Sequence, residues 1–130
     1  MMLRKALTPR GLQCEYRNMD AVAAVEMFGE AWASHDLERT LSLITEDCVF
    51  DATGPAPDGT RSVGRAAIRD AWGPIFADST SLFEVESTFV LGDHVVQQWR
   101  YSWADGHVRG IDLFRVEGNL IAEKHSYVKG

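Results

Sequence analysis

Asp112, His125 and Tyr127 are the residues of this chain whose types and spacing point to chemistry. The stretch from His107 to Lys129 reads as the last hairpin of an antiparallel sheet. In His107–Val116 the alternate residues Val108, Gly110, Asp112, Phe114 and Val116 share one strand face, and all but Asp112 are apolar or small. Gly118-Asn119 suits a two-residue hairpin turn, and Leu120–Lys129 is the return strand. Counting outward from that turn sets Val116 opposite Ile121, Phe114 opposite Glu123 and Asp112 opposite His125. A carboxylate among apolar neighbours, facing an imidazole, is an acid/base arrangement. Tyr127, on the face of His125, would offer a hydroxyl to a ligand oxygen. The same pattern fits an ordinary cross-strand ion pair at a sheet surface, with Tyr127 a core residue whose hydroxyl reaches the rim.

The elements that must position these residues come earlier in the chain. Val22, Val25, Phe28 and Trp32 recur at helical steps, with Asp20 able to cap the start and an end near Ser34. Asp36 caps a second, shorter helix carrying Leu37, Thr40, Leu41 and Ile44 on one side. Cys48–Ala52 is a short strand, and the prolines and glycines of Thr53–Ser62 make a loop. Val63–Ala77 is a third helix, which Pro74 should kink or end. Beyond Asp78 the period becomes two. Phe83, Val85, Ser87, Phe89 and Leu91 alternate along one strand, then Val95, Gln97, Trp99, Tyr101 and Trp103 form an aromatic face on the next. Asp105-Gly106 turns the chain into the last hairpin. Helices first and a long antiparallel run after them predict an α+β fold with helices packed on one face of a bent sheet.

The bulk composition narrows the function classes. A chain of 130 residues, 45% hydrophobic and 25% charged, suits one soluble domain. Residues 1–18 hold four cations against one anion, +3 in all, so the net charge of −6 leaves −9 on the rest. The first 18 residues read as a flexible basic tail and residues 19–130 as the domain. An acidic domain without a basic stripe argues against nucleic acid as a partner. There is no apolar run of membrane-spanning length and no secretory h-region, and two cysteines make no disulfide framework, so the expectation is a cytoplasmic protein. His35, His94, His107 and His125 show no paired ligand spacing, so neither a metal nor another cofactor is expected. The serines and cysteines lack a recognisable base.

The order of elements, together with Trp32-Ala33-Ser34-His35-Asp36-Leu37, Thr45-Glu46-Asp47-Cys48-Val49-Phe50, Val63-Gly64-Arg65-Ala66-Ala67-Ile68 and Gly110-Ile111-Asp112-Leu113-Phe114-Arg115-Val116, resembles the nuclear transport factor 2-like superfamily, in its SnoaL-like and ketosteroid-isomerase-like branch. The resemblance spans about Met19 to Val128. It implies a cone-shaped α+β barrel: N-terminal helices against a strongly curved, mainly antiparallel sheet, closed at one end and open at the other. Many relatives are homodimers through the outer sheet face, and Ile111 and Leu113, opposite in facing to Asp112, fit such an interface.

The superfamily hosts isomerases, hydrolases, cyclases, dehydratases and non-catalytic binders, so fold alone does not choose among them. Asp112 matches the strand aspartate of ketosteroid isomerase, a carboxylic acid kept neutral so that it can donate a hydrogen bond. The tyrosine and base positions of that enzyme fall on Phe28 and Ala52 here, with Asp51 one residue away on the other face. The arginine that limonene-epoxide hydrolase carries two residues before its aspartate falls on Gly110. Both mechanisms are therefore disfavoured, and a polyketide-cyclase-like use of Asp112 is the least contradicted. The expectation is a cofactor-free acid/base enzyme of isomerase, cyclase or hydrolase type acting on a small apolar cyclic or polyketide-like molecule. Its catalytic residues would be Asp112, His125 and Tyr127, in a pocket walled by Phe28, Trp32, Trp72, Trp99, Tyr101, Trp103 and Phe114. A non-catalytic ligand-binding or dimeric interaction module is the alternative.

Overall fold

The computed structural model describes residues 9–130, with side chains from residue 20 onward. The expected tail lies outside the described residues up to residue 8. The order is α1 (Pro9–Ala33), α2 (Leu37–Ser42), β1 (Ile44–Asp51), β2 (Arg61–Val63), α3 (Arg65–Ala77), β3 (Leu82–Leu91), β4 (His94–Trp103), β5 (Gly106–Glu117) and β6 (Leu120–Val128). This is the expected α+β architecture, with helices followed by a curved, mostly antiparallel sheet. The strands lie in the order β2-β1-β6-β5-β4-β3. Among the described strands only β1 against β6 is parallel. No described helix is long and apolar enough to cross a membrane.

Several boundaries differ from the pattern-based expectation. α1 starts upstream of Asp20, where the apolar periodicity begins. β1 opens at Ile44 and takes in the Thr45-Glu46-Asp47 segment, with an irregularity between Ile44 and Val49. Arg61–Val63 is a short sixth strand, because it finds Val49–Asp51 as an antiparallel partner. Pro74 lies inside α3, which nevertheless continues to Ala77. Asp36 caps α2 as expected, its carboxylate accepting from the Arg39 backbone N–H at 3.0 Å.

The closed end of the cone is a plug of aromatic rings. Phe28 of α1 stands 5.7 Å, centroid to centroid, from Trp72 of α3 and from Phe114 of β5, both edge-on. Trp72 also meets Trp32 at 5.1 Å and Phe50 at 5.5 Å. Such pairs contribute roughly 0.5–1.5 kcal/mol each beyond simple burial. The plug therefore locks α1 and α3 onto the inner sheet face.

Two bulges set which side chains face that core. In β3, Val85 pairs with Trp99 but Ser87 pairs with Gln98, so Glu86 is an inserted residue. Beyond it the facing reverses: Val90 packs on the core, while Phe89 and Leu91, expected on the face of Phe83, are exposed outside. In the last hairpin, Val116 pairs with Ile121 as expected, yet Arg115 pairs with Glu123, so Ala122 is inserted. Ile121 and Ala122 are consequently both buried.

Candidate functional site

The bulge at Ala122 decides the site. It shifts the register so that Asp112 lies opposite Ser126 and Leu113 opposite His125. The expected Asp112–His125 apposition is therefore corrected: the two side chains are on opposite faces of the sheet. Asp112 points inward and is only 1% exposed. Its Oδ1 accepts from the Ser126 hydroxyl at 2.6 Å, and its Oδ2 is ion-paired with Lys124 Nζ at 3.2 Å. Lys124 Nζ also donates to Ser126 Oγ at 2.9 Å. Both partners of Asp112 are donors, so both of its carboxyl oxygens are placed as acceptors.

Lys124 is itself 6% exposed. Its ammonium sits 4.7 Å from the Trp32 ring centroid and 5.0 Å from that of Phe50. Two ring faces, one carboxylate and one hydroxyl replace the water it has lost. Sequence reasoning missed Lys124 and Ser126, because without the bulge they fall on the outer face. The available signal was the requirement that a buried carboxylate find a cation.

Asp112 and Ser126 line a cavity of about 190 Å³ at the open end of the cone. Its walls are mainly apolar: Phe50, Ala52, Ile75, Phe83, Trp99, Tyr101, Val108 and Val128. Gly110 makes room for one of these walls. A Cβ there would stand 2.7 Å from the Trp99 indole and 2.2 Å from the Tyr127 carbonyl oxygen. The position that would carry an arginine in an epoxide-hydrolase arrangement is thus covered by a tryptophan.

Of the expected wall residues, Trp99 and Tyr101 line this cavity. Phe28, Trp72 and Phe114 do not; they are buried in the aromatic plug. Trp103, 40% exposed, lies past the cavity wall near the end of β4. Trp32 is partly buried, lies against Lys124 and lines a smaller space with His35, Ile75 and Phe83. The helix positions failed as wall residues because the same rings close the cone.

His125 and Tyr127 stand on the outer face. Tyr127 is 57% exposed and does not line the Asp112 cavity. The His125 ring nitrogens meet Asp51 Oδ2 and Glu123 Oε1, each at 2.8 Å. Both can donate at once only as an imidazolium. Arg61 grips Asp51 with two bonds of 3.0 Å, and Arg115 reaches Glu123 at 2.7 Å and Glu117 at 3.0 Å. The result is an alternating charge ladder across β2, β1, β6 and β5. The Arg61 bonds, then that of His125, bring the Asp51 carboxyl down to about 2. The His125 bond, then that of Arg115, lowers Glu123. Burial alone pulls His125 down, but the Glu123 and Asp51 bonds outweigh it and the net shift is upward. On the inner face, burial pushes the Cys48 thiol up to about 12, which removes a thiolate nucleophile at neutral pH. Among the described residues no group of three His, Cys, Asp or Glu is placed to hold a metal ion.

Known proteins share this fold. The family model described as SnoaL-like domain matches residues 25–124. A nuclear-transport-factor-2-like protein of unknown function from Mesorhizobium loti is 40% identical, with a TM-score of 0.79 over 88% of this chain and 94% of its own. A candidate polyketide cyclase from Sinorhizobium meliloti is 21% identical, with a TM-score of 0.70 over 84% and 97%. A candidate ketosteroid isomerase from Kribbella flavida is 13% identical, with a TM-score of 0.73 over 87% and 80%. No curated protein matches the chain.

Two stability measurements check this geometry. Lys124→Met strands the Asp112 carboxylate and should lower unfolding free energy in urea by roughly 3–5 kcal/mol. Adding Asp112→Leu should recover much of that loss, since the two changes act on one pair. A single-variant loss near zero would contradict a buried pair. The outer ladder predicts a pH dependence. The folded His125 value is raised, so its contribution is complete below the unfolded value near 6.5 and is lost as pH rises through the folded value. The folded Asp51 value is lowered from 3.8 to about 2, so its contribution is present above the unfolded value and is lost as pH falls towards about 2. Melting temperature should accordingly decline on the alkaline side, and His125→Gln should flatten that decline. An unchanged alkaline slope in the variant would rule out the ladder as its source.

Proposed function

The chain belongs to the SnoaL-like domain family, within a fold whose members include isomerases and polyketide cyclases, and from that premise we propose that it binds a small, largely apolar molecule in the open end of the cone and transforms it by cofactor-free acid/base chemistry at Asp112. The observation that carries this reading is a single, almost fully buried carboxylate set in the wall of an apolar cavity. Burial removes water from the carboxylate, and Lys124 and Ser126 hold it in one geometry. As an acceptor, Asp112 suits removal of a proton from a substrate and its return to another atom of the same molecule, the step common to isomerisation and cyclisation. Lys124 and Ser126, on this reading, take the assisting part that the sequence suggested for His125. The cavity of about 190 Å³ favours a one- or two-ring molecule, since drug-sized ligands occupy roughly 300–1,000 Å³.

A binding module without turnover is the second reading. It is favoured by Phe28 and Ala52, which stand where an isomerase would carry its tyrosine and its base. A thermal-shift screen with one- and two-ring terpenoids and aromatic polyketides, and with steroids as the larger comparison, followed by mass spectrometry of the stabilising compounds, separates the two. The enzyme reading expects stabilisation with product formation, and Asp112→Asn should abolish product while circular dichroism still reports a folded protein. Stabilisation without product supports the binder, and turnover unchanged in Asp112→Asn sinks the acid/base proposal.

We also propose a homodimer through the outer sheet face. Phe89, Leu91 (82% exposed) and Ile111 leave apolar surface there, with Leu113 beside them. Light scattering should give twice the 14.5 kDa chain mass, and Ile111→Glu should halve it. A monomeric wild-type protein would overturn the proposal.

A further inference from the structure

Ser126 is the member of the buried trio that reaches open space. It is only half-buried and borders both the Asp112 cavity and a second one of about 350 Å³ beside Thr53 and Asp58. Sequence spacing offers this serine no base, but the bulged register supplies one. We propose that Ser126 is a nucleophile toward small apolar esters, with Asp112 as its base and Lys124 as the positioning residue. This rests on the reading of Asp112 as the proton acceptor of the cavity.

The geometry has the three parts that serine nucleophiles need. The Ser126 proton already points at Asp112 Oδ1 over 2.6 Å. Lys124 Nζ holds the other Asp112 oxygen at 3.2 Å and donates to Ser126 Oγ at 2.9 Å. It therefore fixes base and nucleophile together and places a positive charge beside the oxygen that loses its proton. A serine oxygen has two lone pairs, so one remains for attack. An acceptor is also wanted nearby: the Trp99 indole N–H is buried without a hydrogen-bond partner, and Trp99 lines the same cavity.

The step balances without a cofactor. Ser126 Oγ bonds to the carbonyl carbon as its proton passes to Asp112, and the carbonyl π pair moves to oxygen. When the carbonyl reforms, the C–O bond to the leaving group breaks and the departing alkoxide takes the proton from Asp112. Water then attacks the acyl-serine with the same proton transfers, releasing a carboxylic acid and restoring Ser126.

The test uses the full chain with 4-nitrophenyl butyrate and, separately, an alkyl fluorophosphonate, read by intact mass and peptide mapping. One adduct on Ser126 is expected, absent in Ser126→Ala, with exposed Ser79 unmodified. Asp112→Asn should slow adduct formation by roughly a hundredfold or more, the scale of general-base assistance. No variant need fold for a second measurement: wild-type labelling should disappear in denaturing urea. An unmodified Ser126, labelling that persists in urea, or labelling at an unchanged rate in folded Asp112→Asn each overturns the proposal. If Ser126 stays unmodified while another compound is turned over in an Asp112-dependent way, the nucleophile falls and the acid/base reading stands. If both fail, both fall.

Discussion

A carboxylate sealed from water must be matched by a cation and by donors for its remaining lone pairs, and the inner sheet face is arranged around that requirement. Asp112 obtains its cation from Lys124 and its second donor from Ser126, both on the neighbouring strand. Lys124 in turn needs compensation for its own lost hydration, and the Trp32 and Phe50 rings supply part of it. The pair thus ties β5 and β6 to β1 and to α1. Neither charge could be left alone at this depth without a penalty of several kcal/mol, so the trio stands or falls as a unit.

One strand serves two electrostatic systems because alternate residues of a strand face opposite ways. Lys124 and Ser126 look into the cone, while Glu123 and His125 look out onto the charge ladder. The inner system is small, with Asp112 and Lys124 both buried. The outer one is part-exposed and alternates in sign, so salt and pH modulate it. This separation lets a protein of this size hold a buried ion pair inside and a titrating surface outside within a single hairpin.

The aromatic rings divide the interior into a closed end and an open one. Phe28, Trp72 and Phe114 fill the former, so the space left open lies toward Phe83, Trp99 and Tyr101. Gly110 belongs to the same division, because a side chain there would displace Trp99 from the sheet. The shape of the cavity is therefore a consequence of packing as much as of any polar residue within it.

Local pattern carried most of the architecture. The apolar periodicities located the helices and the long strands, the Asp36 cap and the Gly118 turn, and the order of motifs was enough to name the fold class. Asp112 was legible as a buried carboxylate because it is the only ionisable residue on an apolar strand face. Its partners were not. A bulge adds one residue without any composition signal, and since side chains alternate with a period of two, one added residue exchanges the faces of everything beyond it. That exchange brought Lys124 and Ser126 to Asp112 and carried His125 and Tyr127 outside, and the bulge in β3 did the same to Phe89 and Leu91. Which aromatic rings close the cone and which line it was likewise decided by contacts between α1, α3 and the sheet that lie far apart along the chain. The sequence by itself determined the helices, the long strands, the fold class and the buried acid, because those depend on local periodicity and burial. The tertiary structure alone decided what the acid touches, because a one-residue shift in strand pairing is settled by packing across the whole sheet.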